Sequence, residues 1–142
     1  MRVLIIGASS FLGGHVLREA LATGHDAVTA GRSAVPASAS HHQLNLSADS
    51  LPRIAEAISS IAPHAVINCA GATSGAPDVL AAANITAVHA LATVMIQSRS
   101  AARLVHIGSA AEYGSVTAGL PVTAAEYSAA SSARKTRNDQ PS

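Results

Sequence analysis

The stretch Arg2–Gly14, RVLIIGASSFLGG, decides the fold. Arg2–Ile6 is a short apolar run that reads as a buried strand. It ends at Gly7, after which Leu12, Val16, Ala20 and Leu21 recur at helical spacing, and Gly24 stands where a helix C-terminus favours a left-handed residue. A strand, a glycine turn and a helix in this order form a setting for a pyrophosphate. Gly7 supplies the tight turn, Gly13 lets the helix pack on the strand, and the helix N-terminus aims its amides at the anion. Ser9, Ser10, Phe11 and Leu12 complete the turn. Its middle position, usually Gly, is Ser10, whose side chain either crowds a phosphate or donates to it. The bland alternative is a strand–turn–helix connection with no ligand.

Outward from this junction the pattern repeats. Further strands are predicted at Asp26–Ala30, Gln43–Leu46, Ala65–Cys69 and Arg103–Gly108. Gly31–His42 reads as a loop rich in Ser, Ala and Pro, and Ala70–Pro77 as a Gly-rich loop. The spacing of Leu51, Ile54, Ile58 and Ile61 predicts a helix over Leu51–Ile61. Pro52 is tolerated in its first turn and Pro63 stops it. A long helix over Val79–Arg99, with Asp78 as its N-cap, is apolar nearly all round and is expected to be covered on more than one side. Asp49 reads as a cap too. Alternating strands and helices imply βαβ units with right-handed crossovers. The expected fold class is α/β, a Rossmann-type doubly wound parallel sheet of five strands in order 3-2-1-4-5, with a ligand crevice at the strands' carboxyl ends. Residues 1–127 read as one domain and 128–142, SAASSARKTRNDQPS, as a flexible polar tail.

Composition agrees. The chain has 142 residues, and hydrophobic residues make up 49% against 12% charged, which fits one packed domain. Aromatic residues are only 2%, so the core falls to Ala, Val, Ile and Leu, as in strands covered on both faces. A net charge of +1 gives no field for nucleic acid or an anionic membrane. The single cysteine, Cys69, forms no internal disulfide and suits a reducing compartment, and the apolar start is too short for a signal core. A cytoplasmic protein is expected.

The end of the second strand selects the cofactor in this fold. An acid there binds the free ribose 2′-hydroxyl of NAD, and an Arg favours the 2′-phosphate of NADP. The sequence has Arg32, followed by Ser33, so NADP is expected over NAD, and a methyl-donor nucleotide loses support. The competing reading makes Arg32 a solvated loop residue.

These residues together resemble the extended short-chain dehydrogenases, the NAD(P)-dependent epimerase/dehydratase family of nucleotide-sugar enzymes. VLIIGASSFLGGHV is similar to that family's opening strand and phosphate turn, VINCAGAT at Val66–Thr73 to its fourth strand and cofactor loop, LVHIGSAAEYG at Leu104–Gly114 to its fifth strand and Ser-x-x-x-Tyr-Gly segment, and LPVTAAEY at Leu120–Tyr127 to the following loop. The resemblance spans 1–127. It implies that Gly7, Ser10, Phe11, Leu12 and Gly13 line the pyrophosphate and that Arg32 meets the adenosine phosphate. Asn45, where the family commonly has Asp, and Leu46 would flank the adenine. Ala70 and Gly71 would pass beneath the nicotinamide-side ribose, and Asn84 matches an Asn on the next helix. Ser109 matches the Ser that hydrogen-bonds the substrate's carbonyl or hydroxyl.

The family's chemistry also needs a Tyr-x-x-x-Lys pair, in which the Lys cation lowers the Tyr pKa. Here Tyr113 is followed four residues on by Thr117, and Tyr127 by Ser131; Lys135 is preceded by Ser131. The pair is absent, as are the family's last strands and substrate part. Two readings follow: an NADP-dependent reductase, epimerase or dehydratase of a nucleotide sugar represented by its cofactor half and truncated before the pair, or a non-catalytic dinucleotide-binding module or redox-sensing partner. A third, weaker reading is a decayed product with a marginal fold. The fifth strand would be left as an apolar edge that invites self-association.

Other candidates have bland readings. Adjacent His41 and His42 cannot share a strand face and have no Cys or carboxylate cluster beside them, so loop residues are favoured over a metal site. His106 is expected to be packed or at an edge. Cys69 reads as buried in strand four rather than as a nucleophile. Glu112 is either a base or a solvated loop acid.

Overall fold

A computed structural model describes residues 1–37, 40–98 and 100–109. Met1–Ile107 form one compact unit, and of the stretch from Gly108 onward only Gly108 and Ser109 are described. Glu112, Tyr113, Tyr127, Lys135 and the boundary expected after Tyr127 lie outside the described residues.

The elements are β1 (Arg2–Ile6), α1 (Phe11–Ala22), β2 (Asp26–Gly31), β3 (His41–Gln43), α2 (Leu51–Ile61), β4 (Ala65–Asn68), α3 (Pro77–Gln97) and β5 (Arg103–His106). The strands make one sheet in order β3-β2-β1-β4-β5, all pairings parallel, as expected. Central β1 shows why the strand is apolar from Val3 onward. Leu4 and Ile6 join a core with Ile54 and Ile58 of α2 and Leu91 and Val94 of α3. Val3 and Ile5 point to the other face, where Leu17 and Ala20 of α1 cover them.

Several expectations need correction. The third strand is His41–Gln43, not Gln43–Leu46. Leu44 and Leu46 are buried, but against the α2 side of the core, and the ladder to β2 is made by the polar residues before them: Thr29 faces His41 in register and Gly31 faces Gln43. His41 and His42 are therefore strand residues, not loop residues. Buried Thr29 fixes this register, its hydroxyl meeting the Ser40 carbonyl at 3.2 Å and His41 Nδ1 at 2.9 Å. The fourth and fifth strands end earlier than expected, at Asn68 and His106.

The caps differ as well. Ser50, not Asp49, caps α2, its hydroxyl accepting from the Arg53 amide, while the Asp49 carboxylate accepts from the Asn45 amide at 2.7 Å. Ala76 precedes α3 without a side-chain cap, Pro77 takes the first turn, and Asp78 adds its charge to the positive end of the helix dipole.

By length and composition α3 is apolar enough to cross a membrane. Its buried residues are Ala87, Ala90, Leu91, Val94 and Met95, one stripe at helical spacing laid on the sheet. Away from that stripe, and contrary to the expectation of cover on more than one side, Val79, Ile85 and Ile96 are exposed, while Leu80, Val88 and Ala92 are half-buried. A π-helical turn, Ala82–Thr86, interrupts the α-helical hydrogen bonding above that stripe. β5 ends the sheet among the described residues, with Val105 and Ile107 exposed.

Candidate nucleotide site

The loops after β1, β2, β3 and β4 all leave the carboxyl edge of the sheet, and neighbouring β1 and β4 carry chain to helices on opposite faces. That is the switch point at which open parallel sheets hold ligands.

Two glycines make the turn after β1. Gly7 has φ +79°, and a Cβ there would lie 2.7 Å from the Ala70 nitrogen, so the β1 and β4 loops meet at a contact only glycine allows. A Cβ on Gly13 would run into the Gly7 carbonyl oxygen and lie 2.8 Å from Ala8 Cα, because α1 sits directly on the turn. The Ser10 hydroxyl fastens this arrangement. It accepts from the Gly13 amide at 3.1 Å and donates to the Cys69 carbonyl at 3.3 Å, joining the start of α1 to the end of β4. Its role here is structural, and neither crowding of a phosphate nor donation to one is needed to explain it. Among the described residues the Phe11 and Leu12 amides of the first turn have no capping side chain, and both side chains are exposed with Ser9 at the mouth of the turn. The Phe11 ring meets His15 edge-on, centroids 4.7 Å apart.

On the β4 side, fully buried Asn68 directs the loop. Its Oδ1 accepts from the Ala70 amide at 3.0 Å, and its Nδ2 lies 3.2 Å from His106 Nδ1 on β5, so His106 is an edge residue with a partner. Asn84, on the π-helical turn, grips the same loop. Its Oδ1 accepts from the Ala72 amide at 2.9 Å and its Nδ2 donates to the Ala72 carbonyl at 2.8 Å, beside Gly71. Asn84 thus shapes the loop through the backbone. Asn84 lies within the irregular turn of α3. Half-buried Cys69 has its thiol pKa raised by burial, which keeps it a neutral packing group.

At the β2–β3 end, Arg32 is exposed just past β2, and no carboxylate among the described residues pairs with it. It lines an open cavity of about 290 Å³ together with Gln43, Leu44, Asn45, Asp49 and Arg53. Asn45 makes an Asx turn, its Oδ1 accepting from the Ser47 amide and hydroxyl at 3.2 and 2.9 Å, and Leu46 is buried in the core beneath. Ser109 is exposed, in the short described stretch after the compact unit. Among the described residues no three His, Cys, Asp or Glu side chains gather into a metal site.

The structure therefore brings the expected Gly7–Gly13 turn and Ala70–Gly71 loop together, and sets Arg32 and Asn45 on one cavity. Sequence reasoning missed Asn68 and Arg53. A lone polar residue closing an apolar parallel strand was the available sign for the first. For the second there was no local sign, since Arg53 and Arg32 come to one cavity only through the fold.

A doubly wound sheet with a glycine turn locked under its first helix defines a Rossmann-type dinucleotide-binding protein. The profile of the NAD dependent epimerase/dehydratase family matches residues 3–138, and the chain belongs to that family. Solved structures share the fold. UDP-glucose 4-epimerase of Thermus thermophilus, in complex with NAD, superposes with a TM-score of 0.74 at 22% identity, over 97% of this chain and 50% of that one. The enzyme from Brucella ovis, also with NAD, gives 0.74 at 19% over 97% and 47%. The Bordetella bronchiseptica enzyme WbmG, in complex with NAD and UDP, gives 0.70 at 24% over 85% and 42%. The chain spans about half the length of these proteins or less. No curated protein matches the sequence.

Proposed function

We propose that this chain binds a nicotinamide dinucleotide across the β2–β1–β4 edge, prefers NADP(H), and is the cofactor half of an epimerase/dehydratase-type oxidoreductase acting on a nucleotide sugar. The observation that carries the reading is the glycine contact of Gly7 with Ala70 under a helix held tight by Gly13. Backbone this close, with open amides at Phe11 and Leu12, suits a pyrophosphate and leaves no room for side chains. Ala70 and Gly71, held by Asn68 and Asn84, would support the nicotinamide-side ribose, and Asn45 with Leu46 would flank the adenine. The cofactor, when bound, supplies hydride chemistry. The chain's own residues bind and orient it, and Ser109 would hold the substrate's oxygen. UDP-glucose 4-epimerases and WbmG, similar in fold, carry NAD or UDP in their structures; family membership supports nucleotide-sugar chemistry for the whole protein.

NADP is favoured over the NAD of those relatives because Arg32 occupies the cofactor-selecting position, where a charge-assisted pair with a 2′-phosphate can form. Titrating NADPH and NADH into the protein tests this. NADPH is expected to bind more tightly, and Arg32→Ala is expected to weaken NADPH by about tenfold or more while sparing NADH. Equal affinities in the unmodified protein would overturn the preference, and binding of neither would overturn the whole reading.

A second reading, a non-catalytic dinucleotide-binding module or redox-sensing partner, is favoured by one observation: no Tyr-x-x-x-Lys occurs in the 142 residues. On either reading we propose self-association through the β5 edge, where Val105 and Ile107 are exposed. Sedimentation across a concentration series is expected to show a rising average mass, and a constant monomer mass would count against it.

A further inference from the structure

We propose that Arg53 is a second cofactor-specificity residue, closing with Arg32 on the same phosphate at the adenosine end of the cofactor. This rests on the reading that the edge takes a dinucleotide, and it concerns which one. The two arginines line one cavity from different elements, Arg32 from the residue after β2 and Arg53 from the first turn of α2. The third charged side chain lining it, Asp49, is turned to the Asn45 amide at 2.7 Å, so the cavity holds two cations against one carboxylate already bonded to backbone.

Arg53 is loosely held. Its Nη2 donates to the Gln43 carbonyl at 3.4 Å, beyond the usual hydrogen-bond range. Its approach to Glu56 is 4.0 Å between side chains that are 51% and 76% exposed, a surface pair of little weight. α2 buries Ile54, Ala57, Ile58 and Ile61, which places Arg53 at the flank of the buried stripe, leaning over the end of β3, instead of on the far solvent side.

Only one feature of the adenosine end calls for two guanidinium forks. A ribose 2′-hydroxyl is neutral and calls for no cation. A phosphomonoester carries close to two charges near neutral pH and three acceptor oxygens, more than one planar fork can meet. The ligand chemistry that fits is a nucleotide with a 2′-phosphate.

The test is a titration of NADPH and NADH into the full chain and into Arg53→Ala, Arg53→Lys and Arg53→Gln. Arg53→Ala and Arg53→Gln are expected to weaken NADPH by about tenfold and to leave NADH within about twofold, with Arg53→Lys between, because it keeps the charge and loses the fork. Thermal melting shows that each variant is folded. If NADPH affinity is unchanged, or both cofactors weaken alike, Arg53 does not read the 2′-phosphate, and the dinucleotide assignment stands on the NADH titration. If the unmodified chain binds neither cofactor, both readings fall together.

Discussion

Gly13→Val is expected to lose cofactor binding altogether and to melt well below the parent protein. The Cβ of any residue at 13 would meet the Gly7 carbonyl oxygen, with Ala8 Cα at 2.8 Å and Gly7 C at 2.9 Å behind it. All three are backbone atoms that cannot swing aside, so α1 must lift from β1. Lifting it separates Ser10 from the Gly13 amide and draws Leu17 and Ala20 out of the cluster they form with Val3, Ile5 and Ala27. Overpacking alone typically costs about 1–3 kcal/mol, and a backbone clash belongs at or beyond the upper end, against a total stability of roughly 5–15 kcal/mol. Circular-dichroism melting and an NADPH titration read the two effects. Gly14→Ala is the control. Its Cβ would meet only the Ala8 oxygen, at an ordinary 3.7 Å, so that variant should fold and bind as the parent does. A Gly13→Val protein that binds like the parent would mean that the phosphate turn is elsewhere.

The contrast between these neighbouring glycines shows what was legible in the sequence. Gly13 was legible because the spacing from Gly7 across a strand–helix junction has one steric meaning. The parallel sheet followed from apolar runs alternating with helical periods, since strands covered on both faces leave a continuous hydrophobic mark, and the strand order followed from the doubly wound fold class. The third strand left no such mark. Its pairing residues, His41–Gln43, are polar, and the apolar Leu44 and Leu46 that suggested a strand owe their character to packing on α2. Pairing at a sheet edge is a backbone matter that side-chain pattern does not encode. The long helix misled in the opposite direction. Its inward stripe was masked because the outward residues are also apolar. Within the site, Arg32 could be read from its place after β2, whereas Arg53 comes near it only when α2 folds over the end of β3. The tie from Ser10 to the Cys69 carbonyl, a contact across 59 residues, was likewise beyond any local pattern.

These 142 residues by themselves are expected to be catalytically silent toward nucleotide sugars. Reduction of a carbonyl needs a proton delivered to the forming alkoxide, and a positioned acid typically contributes about 10²–10⁴-fold. Ser109 can hold the carbonyl oxygen, but an aliphatic hydroxyl is by its own acidity a poor proton donor. The two tyrosines, Tyr113 and Tyr127, are followed at the fourth position by Thr117 and Ser131, so neither has the lysine whose charge would lower its pKa. Lys135 is the only lysine in the chain, and the residue four before it is Ser131. The assay is NADPH oxidation with a panel of 4-keto nucleotide sugars, run beside Ser109→Ala. Background rates in both proteins are the expected result. Turnover that disappears in Ser109→Ala would contradict it and would mean that this chain does supply a proton donor, with Tyr113 and Tyr127 the first to be replaced by Phe.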